Sequence, residues 1–195
     1  MKYLFRFIIF ITILFYGCSR RFPEKINIAR NSFVLLNQDS SNVNFPFDYK
    51  GKILVVTFIY TNCPDICPMT TYNMQQVQKK LEQKNINNVQ FAAISFDPIR
   101  DTPSILKDYA SIRGMNLNNF SFLTGNKKSI YSLIKNFNFL VLPGDTTQVG
   151  TNPVYFFTHA DKIYLIDQQG RIRNEYRGSK LDKNKLLSDI KYLED

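Results

Sequence analysis

An almost unbroken apolar run, Ile53-Leu54-Val55-Val56-Thr57-Phe58-Ile59-Tyr60, ends three positions before the first of two closely spaced cysteines, Cys63 and Cys67. Consecutive apolar residues of this kind suit a strand covered on both faces, so the run calls for a layered fold with helices on either side of a sheet. Beyond the cysteines, Met69, Tyr72, Met74, Val77 and Leu81 recur at helical spacing, which predicts a helix over Met69–Gln83 with Pro68 accepted in its first turn. The two thiols therefore fall where a buried strand turns into a helix.

The rest of the chain repeats that pattern. Phe33–Leu36 reads as a short first strand, with a polar turn region over Asn37–Asn44. Val89–Phe96 is a second buried strand, and Thr102 is a fitting N-cap for a helix from Pro103 to about Gly114. Phe120–Leu123 is expected as a strand, Lys127–Asn136 as a helix and Leu142–Pro153 as a loop rich in Gly, Thr and Pro. Ile163–Asp167 and Ile172–Tyr176 flank Gln168-Gln169-Gly170 in the manner of a hairpin, and a final helix begins at Asp182. Strands alternating with helices, then a hairpin and a last helix, predict an α/β thioredoxin-like fold: a central mixed sheet flanked by helices. A chain of 195 residues suffices for one such domain over residues 31–195, plus an extension.

That extension carries a targeting pattern. Lys2 and Arg6 precede an apolar run from Phe7 to Tyr16, followed by Gly17-Cys18-Ser19. The run is shorter than the roughly 20 residues that span a bilayer. Residues 1–17 are expected as a signal peptide, with residues 18–30 as a tether. A cysteine behind a small residue resembles a lipoprotein cleavage site, with Cys18 lipidated, although Phe15 stands where such signals usually carry Leu. An uncleaved anchor that includes Leu4 and Phe5, or plain secretion, are the alternatives. All three put the domain outside the cytoplasm, membrane-anchored in the cell envelope in the first two, where thiols oxidise and metals are exchanged. The net charge of +9 becomes +7 once Lys2 and Arg6 are removed. The remaining lysines and arginines are scattered, without the basic run and interleaved aromatics of a nucleic-acid site, so nucleic acid is not expected as a partner.

With three cysteines and one histidine in the chain, Cys63, Cys67 and His159 are the soft donors left for chemistry in the domain. Four-residue spacing around a first helical turn brings both sulfurs to one side, near the N–H groups that favour thiolate. Two thiolates and an imidazole make a three-coordinate set that suits Cu(I). The same pair also fits a structural disulfide or a redox dithiol, and a lone histidine is often only a hydrogen-bonding residue. Spacing alone leaves these open.

Several segments resemble one family. Tyr60-Thr61-Asn62-Cys63-Pro64-Asp65-Ile66-Cys67-Pro68 resembles the Y-T-x-C-P-D-x-C-P signature of the SCO/SenC copper chaperones. Ser95-Phe96-Asp97-Pro98-Ile99-Arg100-Asp101-Thr102-Pro103 resembles their S-x-D-P-x-R-D-T-P, and Phe122-Leu123-Thr124-Gly125 their F-L-T-G. His159 stands where the family's ligand histidine precedes its last hairpin, with Thr158 in the place of a frequent acidic neighbour. The resemblance runs from about Phe33 to Leu193. It implies a thioredoxin-like fold and a copper ion, Cu(I) or Cu(II), held by Cys63, Cys67 and His159. It implies a Cys63–Cys67 disulfide when copper is absent. It also implies a role in maturing the CuA centre of cytochrome c oxidase subunit II, with other periplasmic copper carriers as further partners. On this reading the chain is not an enzyme. Thiol–disulfide exchange, with Cys63 attacking and Cys67 resolving, is the alternative, and peroxide reduction is a weaker one. The Asp97–Pro103 stretch is expected to pin a loop, with partner docking as the other possibility.

Overall fold

The computed structural model describes residues 25–149 and 152–194. The expected signal peptide, most of the tether and Cys18 lie outside the described residues. An eight-stranded mixed sheet organises the domain. Its strands are β1 (Ile26–Asn27), β2 (Phe33–Asn37), β3 (Asn42–Phe45), β4 (Ile53–Ile59), β5 (Val89–Ser95), β6 (Phe120–Thr124), β9 (Ile163–Ile166) and β10 (Arg171–Tyr176). In space they run β1-β10-β9-β4-β5-β6-β2-β3. β4, β5 and β6 are parallel and every other pairing is antiparallel. The parallel strands need crossovers, which α1 (Ile66–Gln83) and α2 (Pro103–Ile112) supply. α3 (Lys127–Asn136) and α4 (Lys183–Glu194) complete the helices, and α1 packs on α4.

All seven residues of β4 are buried, as its composition requires. Phe58 meets Phe137 at 5.1 Å and Phe139 at 4.7 Å, while Phe91, Phe120 and Phe122 form a stacked row. The Thr102 hydroxyl caps α2 by accepting from the Ile105 N–H at 3.4 Å, and Asn126 caps α3 through Ser129.

Three expectations are corrected. The Leu142–Pro153 loop is instead a β-ribbon, β7 (Val141–Val149) against β8 (Asn152–His159). Its register shifts between Pro143 and Thr146, where the Pro-Gly pair interrupts the alternation that marks a strand in sequence. The supposed turn region after Phe33–Leu36 contains β3, a polar edge strand whose Asn42 and Asn44 side chains are exposed. Residues 26–28, expected within a tether over residues 18–30, belong to the folded domain: Ile26–Asn27 pair with β10 and Ile28 is fully buried.

Candidate metal centre

The carboxyl ends of β4 and β5 form one pole of the sheet, and the chemistry collects there. Tyr60 follows β4 directly, and the Cys63 N–H donates to the Tyr60 carbonyl at 3.3 Å, which closes the loop that presents Cys63. α1 begins earlier than its apolar spacing suggests, so Cys67 lies in its first turn. Its sulfur is deep, at 1% exposure against 7% for Cys63. His159 ends β8 and is partly exposed. Its Nε2 lies 3.6 Å from Cys67 Sγ and 3.9 Å from Cys63 Sγ. The three donor atoms all fall within 4.8 Å of one another, and both cysteines are free thiols.

The imidazole is aimed from behind. Nδ1 donates to the Ala160 carbonyl at 2.8 Å, which turns Nε2 toward the sulfurs. Tyr60 stands edge-on to the ring at 5.8 Å, and Phe96 and Phe139 flank it at 5.1 and 6.2 Å. These aromatics fix the ring plane and keep water from its back face.

The two thiols are not equivalent. A hydrogen bond from the Cys67 thiol, opposed by burial and helped by His159 and the backbone N–H groups of Cys67 and Asp65, pulls the Cys63 thiol down to about 3. Cys67 moves the other way, because it keeps the shared proton, is buried and faces the charge that forms on Cys63. Helix position alone predicts two lowered thiols, whereas the pair shares one thiolate.

A polar network ties this centre to the loop after β5. Asp101 accepts from the Thr61 N–H at 3.0 Å, the Thr61 hydroxyl at 2.6 Å and the Ser95 hydroxyl at 2.6 Å. Burial, offset by those donors, raises its carboxyl above the ordinary range. Beside it, Asp97 pairs with Arg100 and accepts from the Tyr155 hydroxyl at 3.0 Å. Arg100 donates to the Tyr155 carbonyl at 3.2 Å and lies 3.6 Å over the Tyr155 ring. Tyr155 sits on β8, on the same side of the strand as Phe157 and His159. The Asp97–Asp101 segment thus braces the cysteine loop with one carboxylate and the histidine ribbon with the other. Sequence reading reached the pinning role of Arg100 and Asp101 but missed Tyr155 and the aromatic cradle. The clustering of aromatics at Tyr155, Phe156 and Phe157, just before the one histidine, is the signal that was there to find.

Comparison with known proteins agrees with this architecture. The SCO1/SenC family profile matches residues 23–194. The chain is 31% identical to the SCO1 protein homolog of Bacillus subtilis over 177 residues, which span 89% of this chain and 86% of that one. It superposes on Bradyrhizobium japonicum ScoI with copper bound at a TM-score of 0.71, with 27% identity over 87% of this chain and 99% of the other. A structure of BsSco, described through a disulfide switch and as a member of a family of cytochrome c oxidase assembly proteins, aligns at a TM-score of 0.70 and 28% identity, covering 88% and 95% of the two chains.

Proposed function

Since the chain belongs to the SCO1/SenC family, we propose that it carries copper on Cys63, Cys67 and His159 during assembly of cytochrome c oxidase, with the CuA centre of subunit II as the recipient. The observation that carries this reading is the convergence of two sulfurs and one imidazole nitrogen within 4.8 Å. Soft thiolates select Cu(I), and three donors satisfy it where structural zinc asks for four. A related protein, ScoI of Bradyrhizobium japonicum, has been solved with copper bound.

Release is built into the geometry. Cys63 and Cys67 are both buried and His159 is partly open at the pole, so an incoming partner's ligands meet the imidazole first. Leu140, whose carbonyl accepts from the Ala160 N–H, and Leu142, across the ribbon from Thr158, are 55 and 49% exposed and offer the recipient an apolar contact on the ribbon that carries His159. The charged start, short apolar run and Cys18 support a lipid-anchored chain whose domain faces the periplasm or its equivalent. Anaerobic titration of the reduced chain tests the function. One equivalent of copper per chain, lost on Cys63→Ser, Cys67→Ser or His159→Ala, is expected; tight binding that survives His159→Ala sinks the three-ligand reading.

A second reading, thiol–disulfide exchange, is favoured by the split thiol pair. The Cys63 thiolate would attack a partner's disulfide and expel one of its sulfurs as a thiolate. Cys67, giving up its proton, would then close the Cys63–Cys67 disulfide and release the reduced partner. Turnover that persists in His159→Ala but ends with the loss of either cysteine would establish it. Both uses fit one carrier, since copper has to leave before the disulfide closes.

A further inference from the structure

At the opposite end of β4 from the metal centre lies a cavity of about 510 Å³, floored by Tyr49, Leu54 and Ile166 and edged by Phe47, Lys50 and Lys52. Phe47 is 45% exposed at this edge. Lys50 and Lys52 are exposed and make no ion pair among the described residues, and exposed Arg30 follows Ala29 on the wall. Of the carboxylates nearby, exposed Asp48 accepts from the Asn44 N–H and offsets one of these three charges, while Asp167 is buried between Arg171 and Arg173, so a net positive edge remains.

We propose that this pole rests on an anionic phospholipid surface, so that the metal centre points away from the bilayer. The proposal rests on the reading that Cys18 carries the membrane anchor. The length of chain available makes the argument. Ile26 is already paired with Ile172 on the sheet, so only seven residues, 19–25, separate Cys18 from the docked chain. Fully extended, they reach at most about 25 Å. A domain on so short a leash is always within reach of the headgroups, and the chain enters the sheet next to this cavity: the Ile28 N–H donates to the Gly170 carbonyl, and both Ala29 and Gly170 line the wall. A phenylalanine at headgroup depth with lysines around it matches the chemistry of interfacial binding. β4 then acts as a spacer of about 20 Å between the bilayer and the cysteines, which leaves the His159 pole free for a partner.

The test uses the full chain, purified from membranes and placed in vesicles of either phosphatidylglycerol or phosphatidylcholine, with amide hydrogen exchange read by mass spectrometry. Expected is severalfold slower exchange of segments 45–52 and 168–172 in phosphatidylglycerol than in phosphatidylcholine. Lys50→Glu and Lys52→Glu should each shrink that difference and together abolish it, while copper stoichiometry stays unchanged. Equal exchange in the two lipids, with the chain floating with both, overturns the proposal and leaves the anchor reading intact. Protection that is equal in both lipids but grows with protein density assigns the face to a second copy and also overturns it. A chain that fails to float with either vesicle removes the anchor, and the proposal falls with it.

Discussion

Cys63 and Cys67 differ because one loop position and one helix position share a single proton. Of the two cysteines in the domain, iodoacetamide should therefore alkylate Cys63 alone in the reduced, copper-free chain. Its rate should hardly change from pH 8 down to pH 5, because a thiol held at about 3 stays ionised across that window. Cys67, pushed upward, keeps its proton and stays unmodified. Peptide mass spectrometry reads both, and two cysteines with a common onset near the ordinary thiol value of about 8.5 would contradict the split. Asp101 is the other residue on which the loop depends. Asp101→Ala leaves the Thr61 N–H, the Thr61 hydroxyl and the Ser95 hydroxyl without their acceptor. A loss of about 3 kcal/mol is expected, seen as a lower urea midpoint with an unchanged slope. A neutral result would mean that water replaces the carboxylate. The candidate cluster itself was legible in sequence, since thiols and imidazoles are scarce in this chain and Cys63, Cys67 and His159 nearly exhaust them. The proton shared by the thiols was not legible, because it depends on a sulfur–sulfur approach that four-residue spacing permits without requiring.

The β7–β8 ribbon carries His159 yet lies outside the main sheet, so its position depends on side chains. Arg100 supplies much of that hold by stacking on Tyr155 while bonding Asp97 and the Tyr155 carbonyl. Arg100→Ala is expected to weaken copper retention by about 10- to 100-fold, the usual range for residues that orient a ligand. Exchange in the ribbon should rise while the sheet stays protected. Arg100→Lys should not rescue, since an ammonium cannot reproduce the planar stack; full rescue would show that charge alone matters. Sequence reading found most elements: Lys127–Asn136 matches to the residue, and β4, β5 and β6 lie within a residue of their expected ends. Buried strands and capped helices carry local signals. The ribbon was missed because Pro143, Gly144 and Pro153 obscure its alternation, and its pairing is fixed by tertiary contacts that no local window contains.

At the scale of the molecule, one sheet separates two poles with different tasks: copper chemistry at the carboxyl ends of β4 and β5, and the lysine-edged cavity at the other. The N-terminal segment belongs to this architecture. Ile28, expected in the tether, is fully buried, and Ile28→Ala should cost about 3 kcal/mol; an unchanged melting temperature would return that segment to the tether. The central claim is that copper sits among two sulfurs and one imidazole, and X-ray absorption at the copper edge of the Cu(I)-loaded chain addresses it most directly. The expected first shell is two sulfurs and one nitrogen, with the nitrogen lost in His159→Ala and both sulfurs kept. A shell of sulfur alone in the unsubstituted chain, or one unaltered by His159→Ala, would contradict the three-ligand site.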